Sequence, residues 1–328
     1  MNKNYIVTIV SIIVLWIGGC GHSTSDDNTE TRIFVLHSYA LDYPWTHAIH
    51  DGIMTILGDK KCTIETFFMD TQKHPEKSDK IKAGLQALDK IKRFHPQVVI
   101  ASDDDSQEFV GKFLVNKKHV SVVFCGVNEN PSKYNYPGTN VTGIVEHPFI
   151  RNSLDLMKKI VPGVKSYTVL TDNSLTSKGF VQYLDELRLP IRIDKKVLTD
   201  DFNRWKHEIR TLRSDALITY IYYSIKDRGK LVAPSMVLKW TVENLTKPSV
   251  GFADFIIEGG ILIGNVESGF EHGELAARKT LDIVNGKKAE EIPVSTAHNG
   301  LILVNAKTAN RLFINISPIE KIADKVFR

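Results

Sequence analysis

Only three cysteines stand in 328 residues, at 20, 62 and 125, and no two form a CxxC pair. That spacing argues against a disulfide framework and against a structural zinc site. An excess of one charge is also missing. The 42 Lys and Arg stand against 38 Asp and Glu, spread along the chain, so there is no basic footprint for nucleic acid. No GxSxG, Walker A or GxGxxG motif stands at a strand-to-helix turn, and no nucleophile–base motif is present. What remains is 42% hydrophobic and 24% charged, a globular composition that excludes disorder and collagen-like repeats. The length allows about two domains with good cores.

The chain opens with one positive charge, Lys3, then the almost wholly apolar Tyr5–Ile17, then Gly18, Gly19 and Cys20. A permanent membrane span needs roughly 20 apolar residues. Residues 1–19 therefore read as a signal peptide, with an uncleaved anchor helix as the alternative. Ile17–Cys20 resembles the bacterial lipobox, which implies that Cys20 is lipidated. Residues 20–31 are polar and read as a tether. The rest of the chain is then extracytoplasmic and lipid-anchored in the bacterial cell envelope. Cys125 follows the apolar run Val122–Phe124 and reads as a small buried hydrophobe. Whether it pairs with Cys62 stays open, because sequence does not set their separation.

From Arg32 onward, short β-rich runs alternate with amphipathic stretches. Strands are expected at 33–36, 63–68, 97–101 and 120–124, and helices at 45–57, 81–91 and 106–115. The Pro/Gly/Asn-rich 134–140 breaks the series. A second series follows, with strands at 166–171, 191–198, 216–221, 249–253, 261–266 and 301–304. Its helices fall at 150–160, 179–187, 205–212, 234–244, 276–284 and 306–313. Two βα series of similar size predict an α/β fold of two doubly wound parallel-sheet lobes, with ligand bound beyond the carboxyl ends of the strands.

Several segments together resemble the substrate-binding proteins of bacterial ABC importers, of the tryptophan/tyrosine type with the type I periplasmic-binding fold. They are Leu36–Tyr39 with Tyr43–Trp45, Gly138–Gly143, Val161–Lys165, Gly273 leading to Asn285–Lys288, and Leu303–Ala309. The stretch 37–45 is also similar to the sensor domains of some signalling receptors. The resemblance implies three crossings between lobes. It places 32–143 with 268–297 in the N-terminal lobe, and 144–267 with 298–328 in the C-terminal lobe. Gly143 and Gly269 stand at two crossings, where backbone freedom suits a hinge.

Candidate site residues follow strand ends. Tyr39 and Tyr43 follow the first strand, where flat rings can hold a planar ligand, and Trp45 is as readily a core residue. Asp104, Asp105 and Ser106 follow the third strand and read either as a helix cap or as a ligand ammonium and carboxylate site. The acidic run 103–105 lacks the Gly and Glu offsets of a calcium loop. Asn128 follows the fourth strand and is placed at the cleft by the resemblance. In the second series the candidates are Asn173, Ser174, Tyr222, Tyr223, Asp254 and, at a crossing, Glu267. Each has a bland counterpart as a cap or loop residue. His47 and His50 have helical spacing but no completed ligand set, so no metal is expected. No cofactor is expected either.

The resulting expectation is a non-enzymatic, monomeric solute-binding protein. It would capture an amine-bearing, amino acid-like molecule with an apolar or aromatic part between two lobes for an ABC permease. The alternative is a receptor subunit feeding a sensor kinase. A rival enzyme reading would use Asp103–Asp105 and a histidine.

Overall fold

The computed structural model describes residues 31–328. The signal peptide, Cys20 and the tether up to residue 30 lie outside the described residues. The strands, in chain order, are β1 (Thr31–His37), β2 (Cys62–Phe68), β3 (Val98–Ser102), β4 (Ser121–Val127), β5 (Val141–Val145), β6 (Ser166–Thr171), β7 (Arg192–Leu198) and β8 (Ala216–Thr219). There follow β9 (Lys226–Asp227), β10 (Lys230–Leu231), β11 (Ser249–Val250), β12 (Ile263–Val266), β13 (Ser295–Thr296), β14 (Leu301–Asn305) and β15 (Lys325–Phe327).

Two larger sheets form. One has the order β13-β5-β4-β3-β1-β2 and the other β15-β14-β12-β11-β8-β6-β7, while β9 and β10 make a small hairpin. All pairs of the first sheet are parallel. The second is parallel except where β12 meets β14 antiparallel. Within each sheet the first five strands run in the order 2-1-3-4-5. That order reverses direction between its first and third strands, leaving a crevice beyond their carboxyl ends.

The pleat explains the run Ile33–Leu36. Ile33 and Val35 enter one apolar layer with Ile49 and Ile53, while Phe34 and Leu36 enter the other with Val99 and Phe124. Both faces of the sheet are therefore covered, and its strands read as continuous apolar runs. The second sheet is layered in the same way: Tyr167 and Val169 pack to one side, Leu170 and Leu217 to the other.

Several expected elements differ. The helix expected at 106–115 is broken into Asp103–Ser106, a π turn at Gln107–Gly111 and Lys112–Leu114. At this break the buried Gln107 amide donates to the Ala101 and Asp103 carbonyls. Residues 141–145, expected only as a crossing, pair with β4 as β5. The strand expected at 249–253 stops at Val250, and the short helix Asp254–Glu258 follows. Gly143 and Gly269, at two of the crossings, are closely packed. A Cβ on Gly143 would lie 2.4 Å from the Phe124 carbonyl oxygen, and one on Gly269 would lie 2.9 Å from that of Trp45. Cys62 and Cys125 are free thiols, on strands separated by β1 and β3. No described helix is long and apolar enough to cross a membrane.

Candidate ligand-binding cleft

The carboxyl ends of β1, β3, β4 and β5 and those of β6, β8 and β11 contribute to one cavity of about 830 Å³. Ser38 stitches the first crevice. Its hydroxyl donates to the Ser102 carbonyl at 2.7 Å and accepts the Ser106 N–H at 2.8 Å. This sets Tyr39 and Asp104 on the cavity wall. Asp172 does the corresponding work in the second sheet, accepting from the Ser174 and Ser177 hydroxyls and from the Ser224 N–H. It thereby fixes the turn that carries Tyr220–Tyr223.

One wall is aromatic. Phe180 stacks on Tyr220 at 4.4 Å between centroids and tilts against Phe252 at 5.3 Å. Tyr222 and Tyr223 continue this wall toward Phe255. The opposite side carries Tyr39, Asp104, Asn128, Glu129 and Glu146. Four carboxylates (Asp104, Glu129, Glu146 and Glu186) line the cavity, and no Lys or Arg among the described residues does. Burial pushes the Glu146 carboxyl up to about 8, and Asp103, just behind the wall, to about 7. Burial also raises Asp104, against hydrogen bonds from the Tyr134 hydroxyl and the Asn128 and Glu129 amides. His147 stacks on Tyr183 at 4.8 Å, and burial lowers its ring.

Of the sequence-derived candidates, Tyr39, Asp104, Asn128, Tyr222 and Tyr223 line the cavity. Tyr43 packs edge-on against Tyr39, with centroids 5.2 Å apart. The other six do not line it, and their polar groups have other partners. Asp105 pairs with Lys80 at 2.8 Å. The buried Ser106 hydroxyl donates to the Asp103 carbonyl. The Asn173 N–H donates to Asp200, and Ser174 caps the helix Leu175–Glu186. Asp254 is exposed at the start of its short helix, where Oδ1 accepts the Phe255 N–H. Glu267 is a clasp between crossings. It accepts the His147 N–H at 3.2 Å and pairs with the buried His272 at 2.8 Å, and His272 Nδ1 accepts the Gly126 N–H. Its neighbour Glu271 accepts backbone N–H groups of His298, Asn299 and Gly300, on the third passage between the sheets.

Sequence reading missed Glu146, His147, Phe180, Tyr183, Tyr220 and Phe252. A signal existed for part of this set: Thr176, Gly179, Phe180 and Tyr183 recur at helical spacing just after a strand end. The three adjacent aspartates do not act together. Asp103 accepts the Trp45 indole N–H, Asp104 the Tyr134 hydroxyl, and Asp105 the Lys80 ammonium. Among the described residues no group of three or more His, Cys, Asp or Glu could hold a metal ion. His37 is buried against Ser102, and the exposed His47 pairs with Asp51.

Comparison with solved structures shows the same fold elsewhere. The ligand-free, open structure of CD0873, a substrate binding protein with adhesive properties from Clostridium difficile, superimposes with a TM-score of 0.70 at 19% identity, covering 87% of this chain and 95% of that one. The ABC domain in complex with L-Trp from Streptococcus pneumonia gives 0.59 at 19% identity, covering 91% and 100%. A conserved domain protein from Vibrio cholerae gives 0.59 at 16% identity, covering 90% and 99%. No curated protein matches the sequence. A family model described as ABC transporter substrate binding protein matches residues 38–327. With that match spanning nearly all the described residues, on a fold of two parallel-stranded sheets around a shared cavity, the chain belongs to the ABC transporter substrate binding protein family.

Proposed function

We propose that the protein binds a small molecule carrying an amine and a flat, apolar part, such as an aromatic amino acid or amine, and presents it to an ABC permease. The observation that carries this reading is the cavity lining: an aromatic wall, four carboxylates and no Lys or Arg. Aromatic faces take planar and cationic groups, and carboxylates take ammonium. The bound L-Trp named for the Streptococcus structure is of the same chemical class. The two lobes, 32–143 with 268–297 and 144–267 with 298–328, would close over the ligand about the crossings clasped by Glu267 and Glu271. No chemistry is performed on the ligand. Thermal-shift screening of a small-molecule library tests the ligand class, because a ligand of the folded state raises Tm. Hits should be amines with a flat ring, amino acids included, and a hit set of sugars or of carboxylic acids without an amine would refute the reading.

The protein is further proposed to be extracytoplasmic and held by a lipid on Cys20, with two or more acyl chains giving stable anchoring. Cys20→Ala should move it from the membrane to the soluble fraction without changing Tm, since Cys20 stands before the polar tether. Continued membrane association of that variant would refute lipidation and favour an uncleaved helix.

A further inference from the structure

We propose that the Glu146 carboxyl takes the cationic end of the ligand and gives up a proton as it does so. The inference rests on the amine-bearing ligand class proposed above and deepens it.

Glu146 is the first residue after β5, where the chain leaves the first sheet, and it lines the cavity. Among the described residues its carboxyl has one hydrogen bond, from the Asn128 side-chain amide at 3.1 Å, and Asn128 lines the cavity as well. The groups facing it are mostly acidic. Asp103 and Asp104 come from the helix start after β3, and Glu267 and His272 from the second crossing. The hydroxyls of Tyr43 and Tyr220 lie within its electrostatic reach. His272 is the nearby base, but both its ring nitrogens are engaged, with Gly126 and with Glu267. Asp103 is 4% exposed, its Oδ2 has no partner among the described residues, and its backbone is held at a φ of 66°. Non-Gly residues in that left-handed region are strained and gather at ligand sites.

The cavity thus brings carboxyls together with no Lys or Arg among the described residues that line it. Burial is the first cause that raises Glu146, to about 8, and the neighbouring Glu267, Asp103 and Asp104 add to it while His272 opposes. At neutral pH the group is therefore mainly the uncharged acid. When an ammonium arrives, the pair R–NH3+ and HOOC becomes R–NH3+ beside –OOC, and one proton leaves to solvent. A positive charge enters and a positive charge departs, so no buried charge is left uncompensated. Phe180, Tyr220 and Phe252 then cover the flat part of the same ligand. Affinity for an amine should rise with pH up to about 8 and level off above it, because binding is accompanied by loss of a proton only while Glu146 holds one.

The test uses tryptamine, with indole-3-propionate as its amine-free counterpart. Each is titrated calorimetrically into the protein at pH 7 in phosphate and in Tris, whose ionisation heats differ. The expected result is release of close to one proton per tryptamine and no release with the propionate. Glu146→Gln should abolish the release and weaken tryptamine roughly ten- to hundredfold. Tryptamine binding without proton release, or release that persists in Glu146→Gln, overturns the proposal. If neither compound binds, the ligand class above is wrong. The proton on Glu146 is then read directly in the ligand-free protein by carboxyl-carbon NMR, assigned with the Gln variant. A titration above pH 7 upholds the protonated site, and one in the ordinary carboxylate range overturns it.

Discussion

Gly273→Ala should lower Tm by about 6 °C or more, one of the largest effects expected of a single methyl group in this chain. Gly273 lies on the helix Gly269–Val284, against the helix Pro44–Leu57. A Cβ there would stand 2.1 Å from the Ile49 carbonyl oxygen and 2.9 Å from the Ile53 nitrogen, both backbone atoms. The contact is reciprocal: a Cβ on Gly52 would stand 2.1 Å from the Phe270 carbonyl oxygen. Side chains can turn aside, but backbone in a helix cannot. The two helices would have to part, opening the layer in which Ile49 and Ile53 meet Ala276 and Ala277. Overpacking typically costs about 1–3 kcal/mol, and contact with backbone puts this site at or above the upper end. In a chain of this size each kcal/mol corresponds to roughly 2 °C or slightly more. Gly163→Ala is the control, since no described residue beyond its chain neighbours lies within 4 Å of its Cβ position. Differential scanning calorimetry of both variants checks the expectation, and equal melting temperatures would show that the helix contact is looser than described.

Glu267→Ala should cost about 3 kcal/mol and lower Tm by roughly 6 °C. Its carboxylate is the acceptor for two buried or half-buried donors, the His272 Nε2–H and the His147 N–H, from different crossings. The Gly126 N–H points at His272 Nδ1, so Nε2 carries the hydrogen and has no other acceptor among the described residues. Leaving a buried donor unsatisfied costs about 1–3 kcal/mol. Glu267→Gln keeps one oxygen acceptor and should recover part of the loss. Thermal melts of the three proteins decide the matter. If Ala and Gln behave alike, the carboxylate is not what joins the crossings.

The alternating βα order could be read from sequence because most strands are buried on both faces and appear as short apolar runs, as in 98–102 and 121–127. Thr–Gly–Ile–Val in β5 escaped because its glycine is demanded by the Phe124 backbone rather than by a turn. The cleft was harder. Tyr39, Asp104, Asn128, Tyr222 and Tyr223 stand directly after strands, and position alone finds them. Whether a polar residue faces the ligand or its neighbours depends on contacts distant in sequence. Asp105 is taken by Lys80, 25 residues earlier in the chain, and Glu267 by His147, 120 residues earlier. Glu146 carried no motif of its own, and only the convergence of Asp103, Asp104 and Glu267 on it marks it out.

The cavity between the two sheets is proposed to hold a flat amine. Calorimetric titration with the tightest amine from the screen, comparing the protein with Tyr220→Ala, puts this to the test. Tyr220 is only partly buried and stacks on Phe180 at the aromatic wall, so its removal strips ligand contact while circular dichroism confirms that the fold persists. The expected dissociation constant of Tyr220→Ala is about ten- to hundredfold weaker, from loss of an aromatic face and the apolar area it covers. An unchanged dissociation constant in a folded Tyr220→Ala protein would place the ligand elsewhere and contradict the account.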